Sequence, residues 1–279
     1  MPQIAKMTRV WSGLGPAVDR VRRRTQAFWH FPDKTVDLHR DESVYETLYE
    51  GHARAIEGDE VIGGGPFDLI GRMELSVLLM EGLAPTDTLL DFGCGTGRLA
   101  LQAIPALVGG HYIGTDISKT ILLRAERHIA RAFASPPCQI SWIHQRTEAF
   151  PLADDSVDMM CAFSVFTHME HEDSFRYLTH AIRLVRPRGR LVLSCLPLDL
   201  QAAREVFLAQ AKTDFRTRWA QVRNVTTSRD FVTAIATLAG WTPLHWYPGD
   251  QRNIRPIDGD EPLAFGQSIL VLENHSRPS

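Results

Sequence analysis

Three glycines at alternate positions, Gly93, Gly95 and Gly97, follow the acid Asp91 in the stretch TLLDFGCGTGRLA, residues 88–100. Ordered glycine gives up more backbone entropy than any other residue, so three together beside a strand need a reason. Without Cβ atoms the backbone is open to close approach by a ligand. A helix beginning near Thr96 would point its free N–H groups and its positive dipole end at the same spot. A second acid, Asp116, follows 25 residues after Asp91 and ends the next apolar run, HYIGTDI. A carboxylate at that strand end is suited to accept hydrogen bonds from the two hydroxyls of a ribose. The four cysteines, Cys94, Cys138, Cys161 and Cys195, are far apart and form no CxxC pair, so neither a metal site nor a disulfide framework is expected.

The elements around these residues alternate between strand and helix. DTLLDF, HYIGTDI, QISWIHQ, VDMMCAFSV and RLVLSCL read as buried strands. GRLALQAI reads as a helix broken near Pro105, and SKTILLRAERHIARAF as a helix capped by Ser118, with Ile121, Leu122, Ala125, Ile129 and Ala132 on one face. HEDSFRYLTHAIRLVR is a further helix, ended by PRG. Helical segments are expected in 200–212 and 228–239, and a closing strand pair at 241–248 and 267–273. The pattern predicts an α/β fold: a doubly wound, mostly parallel, seven-stranded Rossmann-like sheet covered on both faces. Ahead of it, residues 1–82 form an N-terminal helical extension or lid, with 83–279 as the ligand-binding domain. Within the extension, amphipathic helices are expected over 16–29 and from Asp41 to Ile56. Pro66 suits the first turn of a third helix, which Gly82 and Pro85 close.

Composition narrows the class. The chain has 279 residues and a net charge of −3. Residues 1–40 carry eight basic and three acidic side chains, so that arm is +5 and the remainder −8. An acidic body argues against broad binding to a phosphate backbone, so no nucleic-acid partner is expected. The arm alone keeps nucleic acid or a membrane surface open. No apolar run reaches the roughly 18–20 residues needed to span a bilayer, and MPQIAKMTRVWSGLG lacks the apolar core of a signal peptide. A cytoplasmic protein is expected. Association with a second copy of the chain is left open.

Dinucleotides and S-adenosylmethionine both suit a glycine loop followed by a ribose-binding acid. The glycine pattern separates them. Dinucleotide folds use GxGxxG, whereas D91-F-G93-C-G95-T-G97 is an acid followed by GxGxG. This resembles the first motif of the class I S-adenosylmethionine-dependent methyltransferases. IGTDIS (113–118) resembles the second motif, FPLADDSVDMMCAFSVFTHM (150–169) the region around the fourth strand, and LVRPRGRLVLS (184–194) the turn before the fifth. The resemblance covers roughly residues 86–196. It implies S-adenosylmethionine as cofactor, with Asp91 near the methionine amino group and Gly93, Cys94 and Gly95 lining methionine and ribose. Gly97 completes the loop, Asp116 holds the ribose, Ile117 packs on adenine, and Phe163 and Ser164 face the methyl donor. Gly63–Gly65 and Arg72 are expected as a lid, with Arg72 near the cofactor carboxylate. Many members carry an acid after the third strand that bonds the adenine amino group. The matching residue here is Arg146, which has no acceptor, and Glu148 or backbone groups are the substitutes.

Methyl transfer to an alcohol needs a base as well as alignment. SVFTHMEHED offers His168, Glu170, His171 and Asp173 just past the fourth strand. His168 comes first and titrates in the right range, with His171 next. SVFTHM is similar to a stretch of bacterial methyltransferases that act on sugars and other small metabolites. The resemblance therefore implies a small hydroxylated acceptor and O-methylation. N-methylation of a small amine, or a non-catalytic partner that keeps the cofactor fold, are the alternatives. The charged loop PGDQRNIRPIDGDEPLAFG (248–266) is a candidate rim of the substrate site.

Overall fold

The computed structural model describes residues 42–56 and 64–275, apart from the side chains of residues 42 and 43. The helix expected over 16–29 and the cap expected at Asp41 lie outside them. The chain begins with α1 (Glu42–Ala55) and α2 (Phe67–Met80), then β1 (Thr88–Phe92), α3 (Arg98–Ala106) and β2 (His111–Asp116). Next come α4 (Lys119–Ala132), β3 (Gln139–His144), β4 (Val157–Ala162), α5 (His171–Leu184) and β5 (Val185–Pro197). It ends with α6 (Gln201–Ala211), α7 (Phe215–Trp219), β6 (Thr226–Thr227), α8 (Arg229–Leu238), β7 (Thr242–Tyr247) and β8 (Ser268–Glu273).

β1 is central because it is apolar on both faces. Leu90 and Phe92 point into a core with Leu178, Ala181, Val232 and Ala236 of α5 and α8. Leu89 points into the opposite core with Leu78, Leu99, Ala103 and Ile129 of α2, α3 and α4. β4 divides its side chains the same way: Met160 and Ala162 join the first core, Met159 and Cys161 the second. A strand with two apolar faces has to lie inside a sheet with a helical layer on each side. Truncating a fully buried leucine such as Leu90 would cost about 2–5 kcal/mol.

The strand order is β3-β2-β1-β4-β5-β8-β7, with the two-residue β6 beside β5. β1 to β5 run parallel along that path, and β8 pairs antiparallel with both β5 and β7. The expected doubly wound sheet is therefore present, with β6 as an addition. The order reverses between β1 and β4, which opens a crevice beyond their carboxyl ends.

Local differences have simple causes. Pro105 does not break α3, because it sits in the last turn, where its missing N–H removes a single bond. α3 starts at Arg98, two residues after Thr96, with Gly97 as its N-cap. Pro66 is the N-cap of α2, one position outside the helix. Ala132 ends α4 in solvent, whereas Ile121, Leu122, Ala125 and Ile129 are buried as expected and Ser118 Oγ caps Ile121 N at 3.1 Å. α7 was not foreseen; the Asp214 side chain caps it by accepting from Thr217 N at 3.1 Å.

Candidate active site

The loop after β1 and the segment after β4 meet at the crevice. Gly93 has φ +74°, and a Cβ there would stand 2.5 Å from Val165 Cγ2, so this glycine lets the two segments touch. Gly95, with φ +56°, keeps the left-handed backbone that side chains disfavour. The amides of Gly93 and Cys94 both donate to the Thr115 carbonyl at 2.8 Å. The carboxylate of Asp116 accepts from Gly95 N at 3.1 Å and from Ser118 N at 2.9 Å. The glycine loop and the end of β2 are thereby one rigid unit.

Around this unit lies a cavity of about 380 Å³, the size of a small-molecule site. Asp91, Gly93, Cys94, Gly95, Asp116, Ile117, Phe163, Ser164 and His168 all line it. Three expected site residues do not. Gly97 lies behind the loop as the N-cap of α3, where a Cβ would meet Ile129. His171 opens α5 and packs on Phe231, with ring centroids 4.6 Å apart. Arg72 is held away by Asp68 at 3.0 Å and by the Ile257 carbonyl at 3.2 Å. The guanidinium that lines the cavity is Arg98, paired with the buried Glu74. Glu148 is also outside, bound to Arg176 at 2.6 Å, and Arg146 binds Glu46 of α1 at 2.7 Å.

Burial governs the charges. Desolvation raises the Asp91 carboxyl to about 7, against the lowering effect of the Tyr112 hydroxyl, which donates to it at 2.5 Å. Desolvation likewise raises Asp116 to about 6, opposed by the Ser118 and Gly95 amides. His168 is pushed below its ordinary value by burial, and the neighbouring His52 acts in the same direction. Its Nδ1 lies 2.9 Å from the Arg223 carbonyl. A carbonyl only accepts, so the hydrogen sits on Nδ1 and Nε2 keeps its lone pair. The imidazole is thus neutral near pH 7, in the tautomer of a proton acceptor.

One wall of the cavity comes from α1. Tyr45, Tyr49 and His52, spaced along one helical face, line it. Polar contacts hold the helix in place. Glu50 accepts from Ser118 Oγ and Thr120 N at 2.9 Å and from Thr120 Oγ at 2.6 Å. The Tyr45 hydroxyl donates to Asp173 at 2.9 Å and accepts from Glu170 N at 3.0 Å. Glu170 in turn pairs with Arg223. The edge of Tyr49 meets His168, with centroids 6.3 Å apart. Sequence reasoning missed Tyr49 and His52, although their i, i+3 spacing was a usable signal. It also missed Gln145 and Asn224, which line the cavity from the end of β3 and from the β5–β6 connection. Gln145 Oε1 is buried without a hydrogen-bond partner.

Among the described residues no cluster of His, Cys, Asp or Glu could hold a metal ion, and no helix is long and apolar enough to cross a membrane.

Comparison with known proteins agrees with this geometry. Residues 89–189 match the family described as methyltransferase domain. The O-methyltransferase resE of Aspergillus sclerotiorum is 31% identical over 122 residues, 44% of each chain. The O-methyltransferase rstn1 of Aspergillus nomiae is 32% identical over 112 residues, 40% of this chain and 47% of that one. The chain thus spans less than half the length of these curated relatives. The magnesium protoporphyrin IX methyltransferase of Synechocystis, solved with bound S-adenosylhomocysteine, shares the fold at a TM-score of 0.58 and 20% identity, over 85% of this chain and 100% of that one. With the motif-bearing segment 89–189 matched and the fold shared, this chain is a member of the class I S-adenosylmethionine-dependent methyltransferases.

Proposed function

We propose that the protein transfers a methyl group from S-adenosylmethionine to a hydroxyl of a small molecule. The observation that carries this reading is that one cavity holds both the glycine loop with Asp116 and the acceptor nitrogen of His168. The residues present fit the donor. Gly93 and Gly95 leave the backbone open, and Asp116 keeps lone pairs beyond the two amides it binds. Asp116 would hold the ribose hydroxyls, Ile117 would pack on adenine, and Asp91 would meet the methionine ammonium. Gly93, Cys94 and Gly95 would line the chain between them. Arg98 would meet the carboxylate. Phe163 and Ser164 would border the reacting centre. When bound, S-adenosylmethionine supplies an electrophilic methyl on a sulfonium. The protein aligns the nucleophile and removes its proton: His168 Nε2 takes it, while the Arg223 carbonyl holds the ring in the required tautomer.

Wild type and His168→Gln should be compared on a panel of hydroxylated small molecules by mass spectrometry, with S-adenosylhomocysteine binding measured alongside. The glutamine keeps size and polarity but takes no proton. Turnover should fall at least about 100-fold with binding of S-adenosylhomocysteine nearly unchanged. Methylation of amines with no methylation of any alcohol would contradict the reading.

A further inference from the structure

On that O-methylation reading, the acceptor end of the cavity has a composition of its own. Its walls are apolar or aromatic: Phe163, Val165, Met169, Tyr177 and Val222. Into this greasy chamber reach His52 from α1 and Asn224 from the β5–β6 connection, beside His168. His52 lies close enough to His168 to perturb its charge. Neither His52 nor Asn224 makes a hydrogen bond within the described protein, while each lines the cavity. Polar groups set in an apolar wall need partners, because leaving them dry costs more than a made bond returns. One hydroxyl satisfies His168. It does not satisfy two further side chains.

We propose that the acceptor is a phenol bearing a second polar group next to its hydroxyl, and that His52 and Asn224 bind this second group while His168 takes the phenolic proton. The aromatic ring matches the apolar walls and stacks against their faces. As the phenol oxygen bonds to the methyl carbon, the carbon–sulfur bond breaks and S-adenosylhomocysteine departs with that electron pair. The phenolic proton passes to His168 Nε2, so an aryl methyl ether and an imidazolium result, and charge is conserved. His52 and Asn224 come from segments about 170 residues apart, so the acceptor site depends on α1 being seated by Glu50 and Tyr45.

The test uses catechol, phenol, cyclohexane-1,2-diol and benzylamine as acceptors with the full chain. Catechol should exceed phenol in kcat/KM by about tenfold, the value of one additional well-made hydrogen bond. That ratio should collapse toward one in His52→Ala and in Asn224→Ala, with the change carried by KM. Calorimetry on protein saturated with S-adenosylhomocysteine gives a second readout: catechol should bind more tightly than phenol to wild type and equally to the variants. Faster reaction of the diol or the amine than of either phenol overturns the proposal, as does a ratio unchanged in both variants. If no phenol binds or reacts while S-adenosylhomocysteine still binds, the phenol assignment falls and the donor site stands. If S-adenosylhomocysteine does not bind, the methyltransferase reading itself falls.

Discussion

The two ends of the cavity are built in different ways. The donor end comes from one short stretch of chain: Asp91, the glycine loop and Asp116 lie within 26 residues, on two adjacent parallel strands. The acceptor end is gathered from α1, the segment after β4 and the β5–β6 connection, held together by Tyr45 to Asp173, Glu170 to Arg223 and His168 to the Arg223 carbonyl. A local site is fixed by backbone hydrogen bonds and strand register. A gathered site is fixed by side chains reaching across more than 50 residues, so single substitutions retune it without disturbing the donor end. This separation is a common way for one scaffold to serve many substrates.

That contrast can be broken at either end. The largest effect is expected at the donor loop. Gly95→Val puts a β-branched residue at φ +56° and fills the space over the loop, so binding of S-adenosylhomocysteine should become undetectable by calorimetry. Normal binding by this variant would remove the loop from the site. His168→Gln is next, with turnover down at least about 100-fold and donor affinity retained, which would show that the two ends are independent. A variant that loses both together would show them coupled. A smaller effect follows from pH. Ionised Asp91 and Asp116 are the forms that bind an ammonium and ribose hydroxyls, and their values lie at about 7 and about 6. As pH falls from 8 to 5 both take up protons, so affinity for S-adenosylhomocysteine should weaken by about tenfold or more. A flat profile would mean that neither carboxylate meets the ligand. The smallest change is Tyr45→Phe, which removes one donated and one accepted hydrogen bond from α1. It should lower stability by about 1 kcal/mol and raise the KM for the acceptor, with the donor affinity unaltered. A changed donor affinity would place α1 in the donor site instead.

How much of this was readable in the sequence follows from the same contrast. The strands showed because a parallel core writes itself as apolar runs, and the glycine loop showed because three alternate glycines have few other uses. His168 followed from its distance beyond β4. His171 lies only three residues further on, but α5 has begun there and its side chain turns to Phe231. Arg72 and Arg98 look alike in sequence. Their roles separate only through partners brought in by folding, since Arg72 is claimed by Asp68 and the Ile257 carbonyl. His52 and Asn224 carry no motif, and their meeting depends on how α1 and the β5–β6 connection cross the sheet edge. Arg146 has no acceptor for adenine, and its guanidinium proves to be spent on Glu46. No spacing rule would have paired residues 100 positions apart.

Calorimetric titration of S-adenosylhomocysteine into wild type and Asp116→Ala tests the central claim most directly. Wild type should bind at roughly micromolar Kd, and the variant about 30- to 150-fold more weakly, the loss expected for two charge-assisted hydrogen bonds to a ribose, about 2–3 kcal/mol. Equal affinities, or no binding by wild type, would contradict the assignment of this cavity to the methyl donor.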